Sequence, residues 1–378
     1  MAEAAPARSS HPNQPPPGVA LSAPREESVS VIRRRWRKFR TLRRGWWSFL
    51  VLLALYAVSL LNPLLINNRA LVVRYRGETS FPALAEWATG RVRPAEEFGQ
   101  RIIGETDYRA LKREFEGAKG GDWVLMPPYP YHPNESLLDD PGLEGPPPHK
   151  PSAAHWCGTD DRGRDVFARL AYGFRISITF ALFTVLIEYV IGMSVGAVLG
   201  FFGGRVDFYG QRLVEIWAAI PFLYTIMILT QVIEPSVAKL SILLGLFSWV
   251  GISFYMRGEY YREKSKDYVA AAIAQGESRL SIMFSHILPN ALTPIISFAP
   301  FAIVGSIVGL VSLDFLGFGL PPPTPSWGEL VNQGKQNIHD WHLVTFPLGA
   351  LFATLILVVF IGEAVREAFD PKVHSRLR

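Results

Sequence analysis

Six apolar stretches of roughly 20 residues each dominate this 378-residue chain. They occupy residues 46–66, 176–202, 213–233, 240–256, 292–313 and 344–364. A helix packed in a soluble core keeps one polar face, whereas a helix crossing a ~30 Å hydrocarbon layer must be apolar all round. The pattern predicts an all-α integral membrane protein with six transmembrane helices.

Lys and Arg in the short connections set the orientation. Arg33, Arg34, Arg35, Arg37, Lys38, Arg40, Arg43 and Arg44 precede the first run and should stay in the cytoplasm. Counting spans forward puts the loop near Arg205, the loop carrying Arg262, Lys264, Lys266 and Arg279, and the tail with Arg366, Lys372, Arg376 and Arg378 on the same side. Both termini are therefore expected in the cytoplasm, and residues 67–175 outside. A basic cluster directly before a span suits membrane lipid headgroups and predicts no nucleic-acid partner. The first run is too long for a cleavable signal and should remain as an anchor.

The expected organisation follows. Residues 1–45 form a basic cytoplasmic tail, rich in Pro, Ala and Ser up to residue 30 and read as disordered. Residues 46–66 are the first transmembrane helix. Residues 67–175 form an extracytoplasmic insert ending in an interfacial helix at 166–172, with a possible strand at 70–75. Residues 176–364 supply five helices, with a polar loop at 258–290, and residues 365–378 are a cytoplasmic tail.

That loop holds a small-residue run, Ala270-Ala271-Ala272, then Gly276, then Ile287-Leu288-Pro289. On a helix Ala271, Ala272 and Gly276 would share roughly one face with little bulk, so another surface can approach the backbone. Gly276 permits a sharp turn, and Pro289 favours the first turn of a new helix. The expected product is a short helix, a bend, a second short helix and a span. The bland alternative is an ordinary helical hairpin.

Few residues suggest chemistry. Cys157 is the only cysteine and excludes an intrachain disulfide. It reads as a packed side chain rather than a nucleophile. Asp160, Asp161 and Asp165 lack the ligand ladder of a calcium loop, and Asp160 is read instead as a helix cap. The eight histidines form no His-Glu-x-x-His pattern, and no metal or cofactor site is expected. No Gly-x-x-x-x-Gly-Lys-Ser/Thr loop occurs, so the chain is not expected to bind ATP or to be an enzyme. Two residues inside spans stand out. Glu188 is costly in a bilayer and is either a translocation-path residue or a hydrogen-bond partner of a second subunit. Pro221, following Glu215, should kink its helix, as a hinge or as a static bend.

The loop resembles the EAA loop of ABC importer permeases. In that family two alanines precede a glycine by four or five residues and a proline follows it by thirteen. Ala271, Ala272, Gly276 and Pro289 keep both intervals, while Ala270 stands where the family usually has Glu. Three further stretches resemble the C-type permeases of dipeptide and oligopeptide importers. The first contains Gly158, Thr159, Asp160, Gly163, Arg164 and Asp165. The second runs 315–328 and contains Gly317, Gly319, Pro321 and Trp327. The third is Gly362-Glu363-Ala364-Val365-Arg366-Glu367-Ala368-Phe369-Asp370-Pro371. The enlarged insert with its Trp123–Tyr131 run is most similar to the oligopeptide and microcin C branch.

The resemblance implies a type I ABC importer permease in a bacterial inner membrane. It implies a homologous B-type permease, ABC ATPase subunits carrying ATP and Mg, and a periplasmic substrate-binding protein as partners. Ala271, Ala272, Gly276, Ile287, Leu288 and Pro289 would form the ATPase-coupling loop. Permeases for dipeptides, nickel or other small solutes occur in the same wider family, and a channel or scaffold subunit remains the rival reading.

Overall fold

The structure is a computed structural model that describes residues 31–102, 104–118, 121–138, 140 and 142–369. Of the tail 1–45 expected to be disordered, residues 1–30 lie outside the described residues, as does the end of the chain with Asp370 and Pro371. Residues 31–41 and 43–45 are helical, a correction explained by the apolar residues this segment buries, Phe39 packing with Ala364 and Ala368.

Helices α1 (Val31–Thr41) and α2 (Arg43–Leu60) meet at Leu42, whose ψ of 87° interrupts the helix. A short α3 (Asn62–Leu65) with proline in its first turn follows. Strands β1 (Val72–Tyr75) and β2 (Glu78–Ser80) then form a hairpin about Arg76 and Gly77, both at positive φ, as a two-residue turn requires. The strand expected at 70–75 is thus present. Next come α4 (Pro82–Thr89), α5 (Tyr108–Gly117) and β3 (Trp123–Leu125). Asp107 caps α5, its carboxylate accepting from the Arg109 and Ala110 amides. β1 pairs antiparallel with both neighbours, in the order β2-β1-β3, with Val73 opposite Ser80 and Val124. Ala70, Val73, Phe98, Tyr108, Leu111 and Val124 make a small core under this sheet. The segment therefore carries its own apolar centre.

Helix α6 (Val166–Phe202) is a single 37-residue element. At 1.5 Å per residue it is ~55 Å long, well beyond a ~30 Å hydrocarbon layer. The expected separate interfacial helix at 166–172 is therefore its first turns, because nothing between Tyr172 and Ile176 breaks the backbone ladder. The cap also differs from expectation. Asp165, not Asp160, caps α6, its Oδ1 accepting from the Ala168 amide at 2.8 Å. Asp160 instead closes the preceding turn, accepting from the Arg162 and Arg164 amides.

After α6 the chain turns at Gly203 into α7 (Gly204–Ala218) and α8 (Phe222–Val232). These two are bent by 66° at the break that contains Pro221. The predicted kink is present, for the expected reason: proline has no amide to donate and its ring displaces the preceding turn. Helix α9 (Val237–Lys264) packs along α6 in parallel. Gly192, Gly196 and Gly200 of α6 lie against Ile252, Met256 and Tyr260 of α9 in the same order. Glycine every fourth residue leaves a groove that lets the two backbones approach. At one end Arg257 Nε reaches Asp207 Oδ1 at 2.5 Å and ties α9 to α7.

Then come α10 (Asp267–Ala274), α11 (Arg279–Ser281), a π-helical turn (Ile282–Ile287) and α12 (Leu288–Ile296). Helix α13 (Ala299–Leu316) follows a break at Ser297 and Phe298. The run read as one span at 292–313 is thus two helices. The chain ends in α14 (Trp327–Gln336) and α15 (His342–Phe369). Among the described residues, helices α6, α9, α13 and α15 are long and apolar enough to cross a membrane, and the bent α7–α8 pair makes up to a fifth, as a broken span or a re-entrant loop. Helix α2, with Arg43 and Arg44 in its first turn, is not among them.

Candidate functional site

The sequence motifs gather at the two ends of the α6–α9 pair. At the α6 N-terminal end, the Gly158–Asp165 turn meets the segment between α13 and α14. Asp160 is fully buried and accepts from Arg164 Nε at 2.7 Å. Arg164 Nη2 donates to Glu329 Oε1 at 3.1 Å. Arg169, also fully buried, pairs with Glu329 and stands 3.6 Å from Asp160 Oδ2. It donates further to Pro133 O at 3.1 Å and to Thr324 O at 3.3 Å. One guanidinium thus links four segments of the chain. Asp165 Oδ2 accepts from Tyr129 OH at 2.7 Å and lies 2.8 Å from His155 Nδ1. Thr159 O accepts from His342 Nε2 at 3.0 Å. Gly158, Gly163 and Gly317 sit at positive φ, and Gly319 abuts Asp314. Trp327 Nε1 donates to Leu170 O at 3.1 Å, with the indole lying on Gly173. Pro321 stands between Leu320, whose amide donates to Asp314, and the turn leading to Ser326, whose hydroxyl does the same.

Gly158, Thr159, Asp160, Gly163, Arg164, Asp165, Gly317, Gly319, Pro321 and Trp327 are therefore brought to one end of the bundle. Of their partners, Arg169 and Glu329 belong to no motif of the sequence, and His155, His342 and Tyr129 of the Trp123–Tyr131 run carry no signal that pairs them with this turn. A detectable signal existed for Arg169, an arginine inside an apolar helix, which needs a partner wherever it lies. Cys157 is buried as expected. Burial and the neighbouring Asp165 push its thiol up to about 11, as for a packed side chain.

The other end holds the polar loop. α10 closes on Gly276 at φ +79°, a conformation glycine adopts without strain, and Pro289 occupies the first turn of α12. The expected helix, bend and second helix are present, with a π turn added. Val269, Ala272, Ile282, Met283 and Ile287 join Ala197, Phe201, Met256 and Tyr260 in one buried cluster. This fastens the loop to both α6 and α9. Tyr260 OH also donates to Met283 O at 3.1 Å.

Ala272 is therefore inside this cluster and does not share an open face with Ala271 and Gly276. Ile287 is buried too, and Leu288 half-buried. Ala271, Gly276 and Pro289 are exposed, and a Cβ at Gly276 would meet nothing within 4 Å. Ile273, Leu280 and Phe284 project beside them, 61%, 64% and 55% exposed. Glu277 Oε2 accepts from Ser281 Oγ at 2.6 Å and lies 2.8 Å from His286 Nε2. These contacts, Ser281 first, hold the Glu277 carboxyl below the usual carboxylate range.

Glu188 lies midway along α6, 8% exposed, with no hydrogen bond or neighbouring charge from the described residues acting on it. Thr184, one turn earlier, has a buried hydroxyl without a partner among the described residues. Among the described residues no three His, Cys, Asp or Glu side chains are grouped to hold a metal ion.

Residues 189–375 match the family described as the binding-protein-dependent transport system inner membrane component. Over 344 residues the chain is 40% identical to the inner membrane ABC transporter permease protein YejE of Escherichia coli (strain K12), covering 90% of this chain and 97% of that protein. The chain belongs to this permease family. It is 37% identical over 367 residues to the peptidoglycan transport system permease protein YejE of Agrobacterium fabrum, covering 92% of this chain and 94% of the relative. The dipeptide transport system permease protein DppC of Bacillus subtilis is 35% identical over 229 residues, 59% of this chain and 71% of that protein. Membership makes the chain an inner-membrane component of a transport system rather than its ATPase. The polar loop and the α13–α14 segment lie within the matched residues, and the Gly158–Asp165 turn lies before them.

Proposed function

We propose that the chain is a transmembrane permease subunit of an ATP-driven, binding-protein-dependent importer of oligopeptides or peptide-like compounds. The observation that carries this reading is the elbow at Gly276. It is rooted in the α6–α9 core yet presents Ile273, Leu280, Phe284 and a bare glycine turn to a partner. An ATPase subunit docked there would push directly on the helices that form the bundle, with ATP and Mg held on that partner. The cargo follows from the relatives. Proteins named for peptidoglycan, dipeptide and oligopeptide transport share the fold's sequence, and the two YejE proteins match along nine-tenths of it.

In this reading α2 with α3 is the sixth span, Arg43 and Arg44 marking its boundary, and residues 67–175 are a periplasmic insert. Residues 176–364 are the transporting unit, with the coupling loop at 258–290. Both termini are cytoplasmic. A homologous B-type permease closes the path, and the apolar face of α7–α8, where Leu213, Tyr224, Ile228 and Val232 are exposed, supports a partner or lipid there. The substrate-binding protein meets the insert and the Pro321–Trp327 segment. ATP-driven closure of the ATPase pair then alternates access around a shared path, with Pro221 as the bend between the two halves of its span.

Gly276→Arg tests the joint. The side chain has room in the isolated chain, so the variant should be inserted and folded, with strain from the positive φ. Expected is loss of ATPase co-purification and of at least about 90% of coupled uptake, the Arg blocking close approach. Retained uptake and ATPase assembly would remove the docking assignment.

Glu188 belongs to the path in the same reading, as a carboxylate that meets the cationic end of a peptide. Glu188→Gln keeps the shape and removes the charge. Uptake of cationic peptides should fall about tenfold while assembly is unchanged. Equal uptake of every peptide tested would take Glu188 out of the path.

A further inference from the structure

The basic approach to α2 resolves into two stripes. Arg33, Arg37, Arg40 and Arg44, spaced four, three and four apart, are all exposed. Arg35, Phe39, Leu42, Trp46 and Phe49, at the complementary spacing, turn toward the protein. Phe39 is buried with Ala364 and Ala368 of α15, and the Trp46 and Phe49 rings stack at 5.9 Å.

Two polar contacts fix α1 in place. Arg35 Nη1 donates to Thr293 Oγ1 of α12 at 2.7 Å. Lys38 Nζ donates to Glu367 O at 2.6 Å, in the last described turn of α15, where a cation complements the helix dipole. Helix α1 therefore bridges an outward basic stripe and the helix that follows the π turn of the elbow.

The outward stripe has no counter-charge of its own. No Asp or Glu occurs between Glu27 and Glu78, and none of its arginines is in an ion pair among the described residues. Trp36 and Trp47 stand 46% and 63% exposed beside it, amphipathic rings of the kind that settle at a membrane–water interface. The stripe ends directly at the apolar α2, which holds it within reach of headgroups. An acidic surface tied to the bilayer is the complement this arrangement asks for.

We propose that α1 binds anionic phospholipid headgroups of the leaflet it faces, and that the Arg35–Thr293 bond passes this occupancy to α12, so that lipid charge sets how ordered the root of the elbow is. The proposal goes beyond the transport reading and does not depend on it.

The test uses the purified full-length chain in nanodiscs of phosphatidylcholine alone or with an equal share of phosphatidylglycerol. Lipid retained on release is read by native mass spectrometry, and amide exchange is followed across residues 287–296. Each basic residue at a surface contributes about fivefold to anionic partitioning, so the wild type should retain phosphatidylglycerol over phosphatidylcholine by at least about tenfold. Arg33→Gln/Arg37→Gln/Arg40→Gln/Arg44→Gln should lose that preference with α6–α9 exchange unchanged, since all four side chains are exposed. Phosphatidylglycerol should slow exchange in α12 severalfold in the wild type. Thr293→Val should keep the lipid preference and lose the slowing. Equal retention of both lipids by the wild type, an undiminished preference in the fourfold variant, or slowing that survives Thr293→Val would each overturn the proposal.

Discussion

Arg169→Ala is expected to lower the stability of the detergent-solubilised chain by about 3–5 kcal/mol, the cost of breaking a buried ion network by removing one partner. The size follows from what is left behind. Asp160 and Glu329 would face each other with only Arg164 and the exposed Arg162 between them, and the carbonyls of Pro133 and Thr324 would lose their donor. Arg169→Lys should recover less than half of the loss, because a single ammonium cannot span acceptors that a planar guanidinium meets along separate directions. Glu329→Gln should cost less than Arg169→Ala, since Arg169 retains its carbonyl partners and Asp160. The measurement is the thermal midpoint by size-exclusion chromatography after heating, with Arg101→Ala as the exposed control. An Arg169→Ala midpoint equal to that of the control would show that the network does not hold the α6 end together.

Four of the six expected spans, and a fifth as the bent α7–α8 pair, were legible because each is decided locally. Transfer of an apolar run into lipid depends on that run alone, and Pro221 bends its helix through its own missing amide. The turn at Gly276 is local in the same sense. What the sequence hid depends on residues distant in the chain. Arg169 and Glu329 are 160 positions apart, and His342 reaches Thr159 across 183. Neither pairing has a spacing to find.

The misplaced cap has a different cause. Asp160 and Asp165 both precede the same apolar helix, and local propensity favours either. The choice is made by the bridge between Thr159 and Asp165, which closes the turn and leaves Asp165 at the helix entrance. Ala272 fails for a third reason. Four- and five-residue spacings from Gly276 put both alanines near one face only while the helix continues, and α10 stops at Ala274. The π turn that follows then brings Met283 and Ile287 over Ala272. The polar loop was therefore legible as a motif and as a bend, while the surface it offers, with Ile273, Leu280 and Phe284, emerges only from packing.

Gly196→Val is expected to prevent α6 and α9 from packing, with loss of monodisperse protein on extraction and a drop in stability of more than about 3 kcal/mol. A Cβ at Gly196 would stand 2.8 Å from Met256 Cβ and 3.0 Å from the Arg257 amide nitrogen, and would press on the Ser253 carbonyl. Two of these three are backbone atoms, so no rotamer change relieves them. Gly196→Ala should already destabilise by about 1–3 kcal/mol. The sign of that effect is the discriminating feature. Alanine exceeds glycine in helix propensity by about 1 kcal/mol, so the same change in an open position should be neutral or stabilising. Gly251→Ala on α9 is that control, since a Cβ there meets nothing within 4 Å. Gly192→Ala and Gly200→Ala should resemble Gly196→Ala, their added carbons falling 2.9 Å from Ile252 Cβ and 2.6 Å from Tyr260 Cβ. If all four alanine variants shift the thermal midpoint in the same direction and by the same amount, propensity governs and the glycine groove does not. Opposite signs would mean that the α6–α9 pair, which carries the Arg169–Glu329 ion network at one end and the elbow at the other, is held by backbone approach. A motion imposed at Gly276 would then be delivered along a rigid pair, because a close-packed glycine seam has no slack in which two helices can slide past each other.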